Sequence, residues 1–136
     1  MRRYTNFLAV LVVVSFALHA LWEYSHVPLY TGYEQLGSGL PLILWATSGD
    51  VLYTLLITAF VFLCSDKVGP WRARQYAALG IGGFVIALLV EYKAMALHKW
   101  AYTAAMPIWL GVGISPIAQM ALLVPLSVYI SWRFTR

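Results

Sequence analysis

The stretch FLAVLVVVSFALHALWEYSH (Phe7–His26) decides the fold. From Phe7 to Leu18 it is almost unbroken apolar sequence, and it then takes up His19, Glu23 and His26 within two further turns. About 20 such residues, rising 1.5 Å each as a helix, cross the hydrocarbon of a bilayer. Three more stretches have the same reach, so the chain reads as four spans over residues 4–24, 42–64, 76–97 and 110–131. Each again holds polar groups: Asp50 in the second, Glu91 and His98 along the third, Gln119 in the fourth. An ionisable side chain costs about 2.5–3.5 kcal/mol at the centre of a membrane helix, so it requires a partner or a purpose.

Composition agrees. Of 136 residues 62% are hydrophobic and 10% charged, with mean hydropathy +0.77, whereas a soluble domain carries about 25% charged residues. The expected fold is all-α, an integral membrane four-helix transmembrane bundle forming a single domain over 1–136. Arg2 and Arg3 precede span one, Lys67, Arg72 and Arg74 separate spans two and three, and Arg133 and Arg136 follow span four. Only Lys93 and Lys99 fall toward the other side. The positive-inside rule then places both termini in the cytoplasm and the chain, multi-pass, in the cell (inner) membrane. Trp71 and Trp132 are expected to anchor the inner edge.

The same placement bears on partners. Basic residues at membrane edges, with no basic patch, point to the lipid bilayer and to no nucleic acid. Met1-Arg2-Arg3 and the apolar run also resemble a secretory leader, but Leu18-His19-Ala20 is a poor small-residue cleavage site and its removal would leave an odd number of spans. The single Cys64 excludes an internal disulfide and is expected to be a packed apolar residue. Gly80-Ile81-Gly82-Gly83 lies inside a span and lacks the Lys-Ser/Thr of a phosphate-binding loop.

At 1.5 Å per residue, His19, Asp50, Glu91 and Gln119 lie about 9–14 Å from the outer helix ends. At 100° per residue, His19, Glu23 and His26 share one face, and Glu91, Met95 and His98 share another. The simplest packing is one outward-facing polar cavity lined by His19, Glu23, Asp50, Glu91 and Gln119, with His26 and His98 at its rim. Blander readings stand beside this one. Glu23 and His26 would mark the interface, Asp50 and Glu91 would clamp helices together, Gln119 would be interhelical glue, and His98 an ordinary loop residue. Lys93 is expected to snorkel outward, and Glu34 to be solvated in a loop.

Small residues at Ala78/Gly82, Gly83/Ala87 and Gly111/Ser115 have the spacing that lets helices approach closely. Pro116 is expected to break the bond to the Val112 carbonyl and kink span four before Gln119. Glu23-Tyr24 and Glu91-Tyr92, each followed by a histidine and a proline, hint at a parallel repeat of two hairpins.

Three chemistries compete for the cluster. The first is acid–base catalysis, of isomerase or cyclase type, on an isoprenoid-like or lipid substrate. Desolvation favours the protonated form of a carboxyl group, which can then give its proton to an alkene or epoxide. Glu23 is the expected acid, with Asp50, Glu91 and His19 as catalytic partners. Trp22, Trp45, Tyr53 and Tyr92, with Gln119, would bind the substrate, the rings facing a cation. The second is a metal or haem site. Glu23-x-x-His26 has the spacing of di-iron bundles, and Asp50, Glu91 and His98 could complete the set, but span three offers Glu91-Tyr92-Lys93-Ala94 instead of the second copy. Haem held by His19 or His26 with His98 belongs to the same reading. No cofactor is the leading expectation. The third is a non-enzyme, a small transporter or an accessory subunit, and it leaves a homodimer or larger membrane complex open.

His19-Ala20-Leu21-Trp22-Glu23-Tyr24 resembles the Asn-x-x-Trp-Glu segment of the integral-membrane terpene cyclases of fungal meroterpenoid pathways, with His19 in place of Asn. The resemblance covers six residues of a chain far shorter than such a cyclase, and it implies a catalytic acid at Glu23. Over its length the chain is similar to small four-span bacterial membrane proteins of unassigned function. The shared residues are Trp22, Glu23, Pro28, Leu29 and Tyr30, then Gly49-Asp50, then Glu91, Trp100, Tyr102, Met106 and Pro107. That similarity implies a fold and no activity. His19-x-x-x-Glu23 and Gly49-Asp50-Val51-Leu52-Tyr53 also resemble stretches of the emopamil-binding type of sterol isomerase, in a different order along the chain.

Overall fold

The computed structural model describes residues 2–32, 39–65 and 71–135. Four long helices follow one another: α1 (Arg2–His26), α2 (Leu40–Leu63), α3 (Ala73–Ala96) and α4 (Ile114–Phe134). Each is long and apolar enough to cross a membrane. Around the bundle α1 packs on α2 and α4, and α3 packs on α2 and α4. Large apolar side chains such as Leu8, Val13, Leu56, Phe60, Ile81 and Leu122 face outward along all four helices. Soluble monomers rarely expose an apolar belt of that extent.

The end that holds the N-terminus of α1 and the C-terminus of α4 is filled by apolar packing. Phe7 stacks on Trp132 with ring centroids 4.4 Å apart, and Leu11, Leu79, Val124 and Val128 are buried beneath them. Trp71 and Trp132, expected at the membrane edge, are buried within this core. Cys64, expected to be packed, is exposed just after α2.

Glycines set the closest helix approaches. A Cβ on Gly83 would collide with the Met120 carbonyl oxygen, so α3 and α4 touch backbone to backbone there. Ala87, one turn on, is buried in line with it. Gly82 instead meets Ile57 of α2, and Ala78 is exposed, so that small-residue pair makes no single interface. Pro125 lies inside α4. It cannot donate to the Ala121 carbonyl, whose oxygen lies 3.1 Å from where a Cβ on Gly80 would be.

At the opposite end, short strands clasp the loops. After α1 a single 3-10 turn (Val27–Leu29) leads into β1 (Tyr30–Thr31), which pairs antiparallel with β2 (Ala101–Tyr102), Tyr30 opposite Tyr102. The Thr103 N–H adds a 2.9 Å bond to the Leu29 carbonyl. β3 (Ile108–Trp109) turns back onto β4 (Val112–Gly113), with Leu110 (φ 51°) and Gly111 (φ 79°) at the turn.

That hairpin corrects the start of span four, expected at residue 110 and found at Ile114. The Gly111/Ser115 pair therefore does not lie on one helix. Pro116 falls in the first turn of α4, where no backbone bond is lost, so the expected kink before Gln119 has no cause. The two Glu-Tyr pairs are placed alike, Glu23 and Glu91 inside, Tyr24 and Tyr92 outside. Lys93 points outward. Glu34 and Lys67 lie outside the described residues.

Candidate functional site

Three of the expected residues converge on the side-chain amide of a fourth. Gln119 of α4 places its Nε2 at 3.0 Å from Glu23 Oε1, 2.7 Å from Asp50 Oδ2 and 3.2 Å from His19 Nδ1. The His19 tautomer follows from its other side. The Thr54 hydroxyl donates its one proton to the Asp50 carbonyl (2.8 Å), so toward His19 Nε2, 3.2 Å away, it accepts. Neutral His19 therefore carries its proton on Nε2 and offers Nδ1 to the Gln119 amide. All three neighbours of Gln119 Nε2 are then acceptors, which fixes the amide orientation. The Gln119 amide thereby joins the Glu23 and Asp50 carboxyl groups.

A second branch leaves Glu23 toward the loops. Glu23 Oε2 lies 3.5 Å from His26 Nε2, and His26 Nδ1 lies 3.1 Å from Ser115 Oγ near the start of α4. His26 is buried against Tyr30, with centroids 5.6 Å apart. The i, i+3 spacing of Glu23 and His26 on α1 turns both inward.

Glu91 faces this group from α3. Its Oε2 accepts from Tyr102 Oη (2.5 Å) and from Trp100 Nε1 (3.2 Å). Both donors converge on one oxygen, which leaves Oε1 to meet whatever enters the cavity. Burial and the Glu91 carboxylate push the Tyr102 phenol up from its usual range, so it remains a donor at any ordinary pH.

These side chains line a cavity of about 410 Å³, within the range of small-molecule sites. Glu23, His26, Asp50, Glu91 and Gln119 form its polar wall, and Trp45, Tyr53, Ile86, Val90, Trp100 and Met120 much of the remainder. Asp50 is the more accessible of the linked acids, with 20% of its side chain exposed against 7% for Glu23. His19 is fully buried behind the polar wall and supports it from the second row.

Three expected residues do not reach the site. His98 sits in the turn after α3 with φ 50° and is exposed, because α3 ends at Ala96 and the chain reverses there. Tyr92, one residue past Glu91, points about 100° away and donates instead to the Leu110 carbonyl (2.9 Å). Trp22 stands edge-on to His26 at 6.3 Å, outside the cavity wall, its buried Nε1 without an acceptor among the described residues. With His98 gone, the proposed five-residue metal set is broken, and no group of three or more His, Cys, Asp or Glu with metal-binding geometry occurs among the described residues.

The sequence reading missed Trp100, Tyr102, Tyr30 and Thr54 as site residues. Trp100 and Tyr102 enter the sequence reading only among the residues shared with four-span membrane proteins, since what brings them onto Glu91 is the β1–β2 pairing. No family model, curated protein or solved structure matches the chain.

Proposed function

We propose that this protein spans the cell (inner) membrane with both termini cytoplasmic, and that its cavity performs proton-transfer chemistry on an isoprenoid-like or lipid substrate. The observation that carries the reading is the joining of Glu23 and Asp50 through Gln119, with Glu91 held separately across an otherwise apolar, aromatic cavity. The resemblance of the Trp22-Glu23 segment to membrane terpene cyclases adds to it.

Glu23, linked to Asp50 through Gln119, gives a proton to one carbon of a substrate double bond, leaving a carbocation at the other. Rings at Trp45, Tyr53 and Trp100 face that cation. Glu91 Oε1 takes a proton from the neighbouring carbon, the double bond re-forms one place along, and no electrons are gained or lost overall. Glu91 then gives its proton up to water, and His26 and Ser115 pass a proton from water on the loop side to Glu23, which resets the site. Pairing two carboxyl groups whose surroundings differ is how proton donor and acceptor are separated.

A transporter needs a polar route through both halves of the bundle. The half below the cavity is closed by Phe7, Leu11, Val124 and Trp132, which favours chemistry at a one-sided site over passage. The test is isotopic: purified protein with a panel of isoprenoid alkenes in D2O, read by mass spectrometry. Deuterium enters the substrate with wild type, and Glu23→Gln abolishes it while Glu34→Gln retains it. Exchange that survives loss of Glu23, Asp50 and Glu91 together ends the proposal.

A further inference from the structure

The α2 residues that line the cavity are Trp45, Ala46, Ser48, Gly49, Asp50, Leu52 and Tyr53. At about 100° per residue Gly49 sits at the centre of that arc. The opposite face, Thr47, Val51, Thr54 and Thr58, is buried. A Cβ on Gly49 would meet nothing within 4 Å, so the space in front of it is cavity. Two members of the arc, Trp45 (58%) and Leu52 (55%), are also exposed on the outside of the bundle. A residue that lines the cavity and also faces outward marks an opening.

The opening has a cause. α2 and α3 run antiparallel and touch where Ile57 meets Gly82. Two turns farther from the apolar plug, about 12 Å along each helix, Gly49 and Val90 come level and no longer fill the gap between them. The wall of α3 there is Ile86 and Val90, aliphatic up to Glu91.

Resting on the function proposed above, we infer that the cavity is entered sideways from the bilayer, through a cleft between α2 and α3. It takes the polar or unsaturated end of a long-chain amphiphile. The hydrocarbon chain trails out over Leu52, Ile86 and Val90, and Gly49 sets the bulk admitted next to the acids. A chain lying in that cleft exchanges lipid contact for protein contact at little cost, while the reacting end meets Asp50 and Glu91.

The experiment uses the full chain in liposomes and a long-chain prenyl alcohol carrying a diazirine on the part of its chain next to the hydroxyl end. After irradiation, peptide mapping locates the label. Labelling at Leu52, Ile86 and Val90 that unlabelled alcohol displaces is the expected result. Gly49→Leu should lower it roughly tenfold or more, as steric exclusion from an apolar pocket does, and Gly49→Ala less. Both substitutions favour the helix, so loss of fold does not explain the effect. Undisplaced label spread equally over Leu21, Leu89 and Leu122, or cleft labelling indifferent to Gly49→Leu, overturns the inference. Deuterium exchange without cleft labelling also overturns it and leaves the chemistry standing. Displaceable cleft labelling without deuterium exchange supports the portal and removes the chemistry.

Discussion

Gln119→Leu tests the centre of the site without changing any carboxyl group. The amide has two hydrogens and lies within bonding distance of three acceptors on α1 and α2. Two hydrogen bonds are therefore lost at once. Interhelical hydrogen bonds in membrane proteins average about 0.6 kcal/mol and reach about 1.7, and bonds to charged groups in water-soluble proteins reach about 3. Gln119 is buried, and Leu is close to it in volume, so the packing term is small. The expected loss is about 2 kcal/mol, roughly 30-fold in the folding constant. Reversible unfolding in mixed micelles measures it. The companion is a double-mutant cycle with Asp50→Asn, because the 2.7 Å bond should appear as a coupling of at least about 0.5 kcal/mol. A Gln119→Leu variant as stable as wild type with no coupling to Asp50 would refute the shared-amide arrangement. Ser127→Ala, buried on the same helix without an acceptor for its hydroxyl among the described residues, serves as the neutral control.

Three further outcomes are expected. Gly83→Ala puts a methyl against the Met120 carbonyl and should cost about 1–3 kcal/mol of stability by overpacking, while Gly49→Ala in the same assay is neutral or stabilising; equal effects would contradict the α3–α4 approach. Tyr102 keeps its proton beyond the pH at which an ordinary phenol ionises, because burial and Glu91 raise it. The unfolded chain loses that proton at about pH 10, so stability present below that pH declines above it. The direct readout is phenolate absorbance: the wild-type minus Tyr102→Phe difference should stay flat between about pH 9 and 11, and a normal step there would break the Glu91 contact. Nitrogen-15 NMR of His19 should find the proton of the neutral ring on Nε2, and a proton on Nδ1 would reverse the direction assigned to the Gln119 bond.

The four long helices were legible because each carries a hydropathic run of the right length, and no packing detail is needed to see one. The common level of His19, Asp50, Glu91 and Gln119 was legible for a similar reason: residue counts from a helix end convert to depth. What failed lay where helix periodicity stops. His98 was assigned to a helical face that ends two residues earlier, at Ala96. Pro116 was read as interior to a helix that begins only at Ile114, because the hairpin over 108–113 is as apolar as the helix it precedes. Tyr92 is expected among the rings that face a substrate cation, yet it follows the inward-facing Glu91, and neighbours on a helix point about 100° apart. Trp100 and Tyr102 become ligands of Glu91 through strand pairing between loops some 70 residues apart in the chain, and nothing local announces such a contact.

The cavity itself follows from how the two ends of the bundle are tied. Below it, Ile57 against Gly82 and Gly83 against Met120 hold α2, α3 and α4 in contact. Above it, the β1–β2 clasp and the Thr103–Leu29 bond tie the end of α1 to the end of α3. The Ile114 N–H to the Pro107 carbonyl (2.8 Å) fixes the start of α4 to the same loop. Among the described residues, none flanking α2 adds a strand to that clasp. Three helices are thus bound together at the level where the carboxyl groups meet, and the fourth is bound mainly below it. A bundle fastened in this way opens beside α2, where Gly49 supplies no side chain to fill the gap. The polar network then closes the opposite wall, because Gln119 reaches Asp50 across the bundle and keeps α2 from separating altogether. Loss of that bond should accordingly widen the α2–α3 cleft as well as destabilise the fold. A spin label at Ser48 would report this as higher oxygen accessibility in Gln119→Leu than in wild type, and unchanged accessibility would mean that α2 is held by contacts other than this amide.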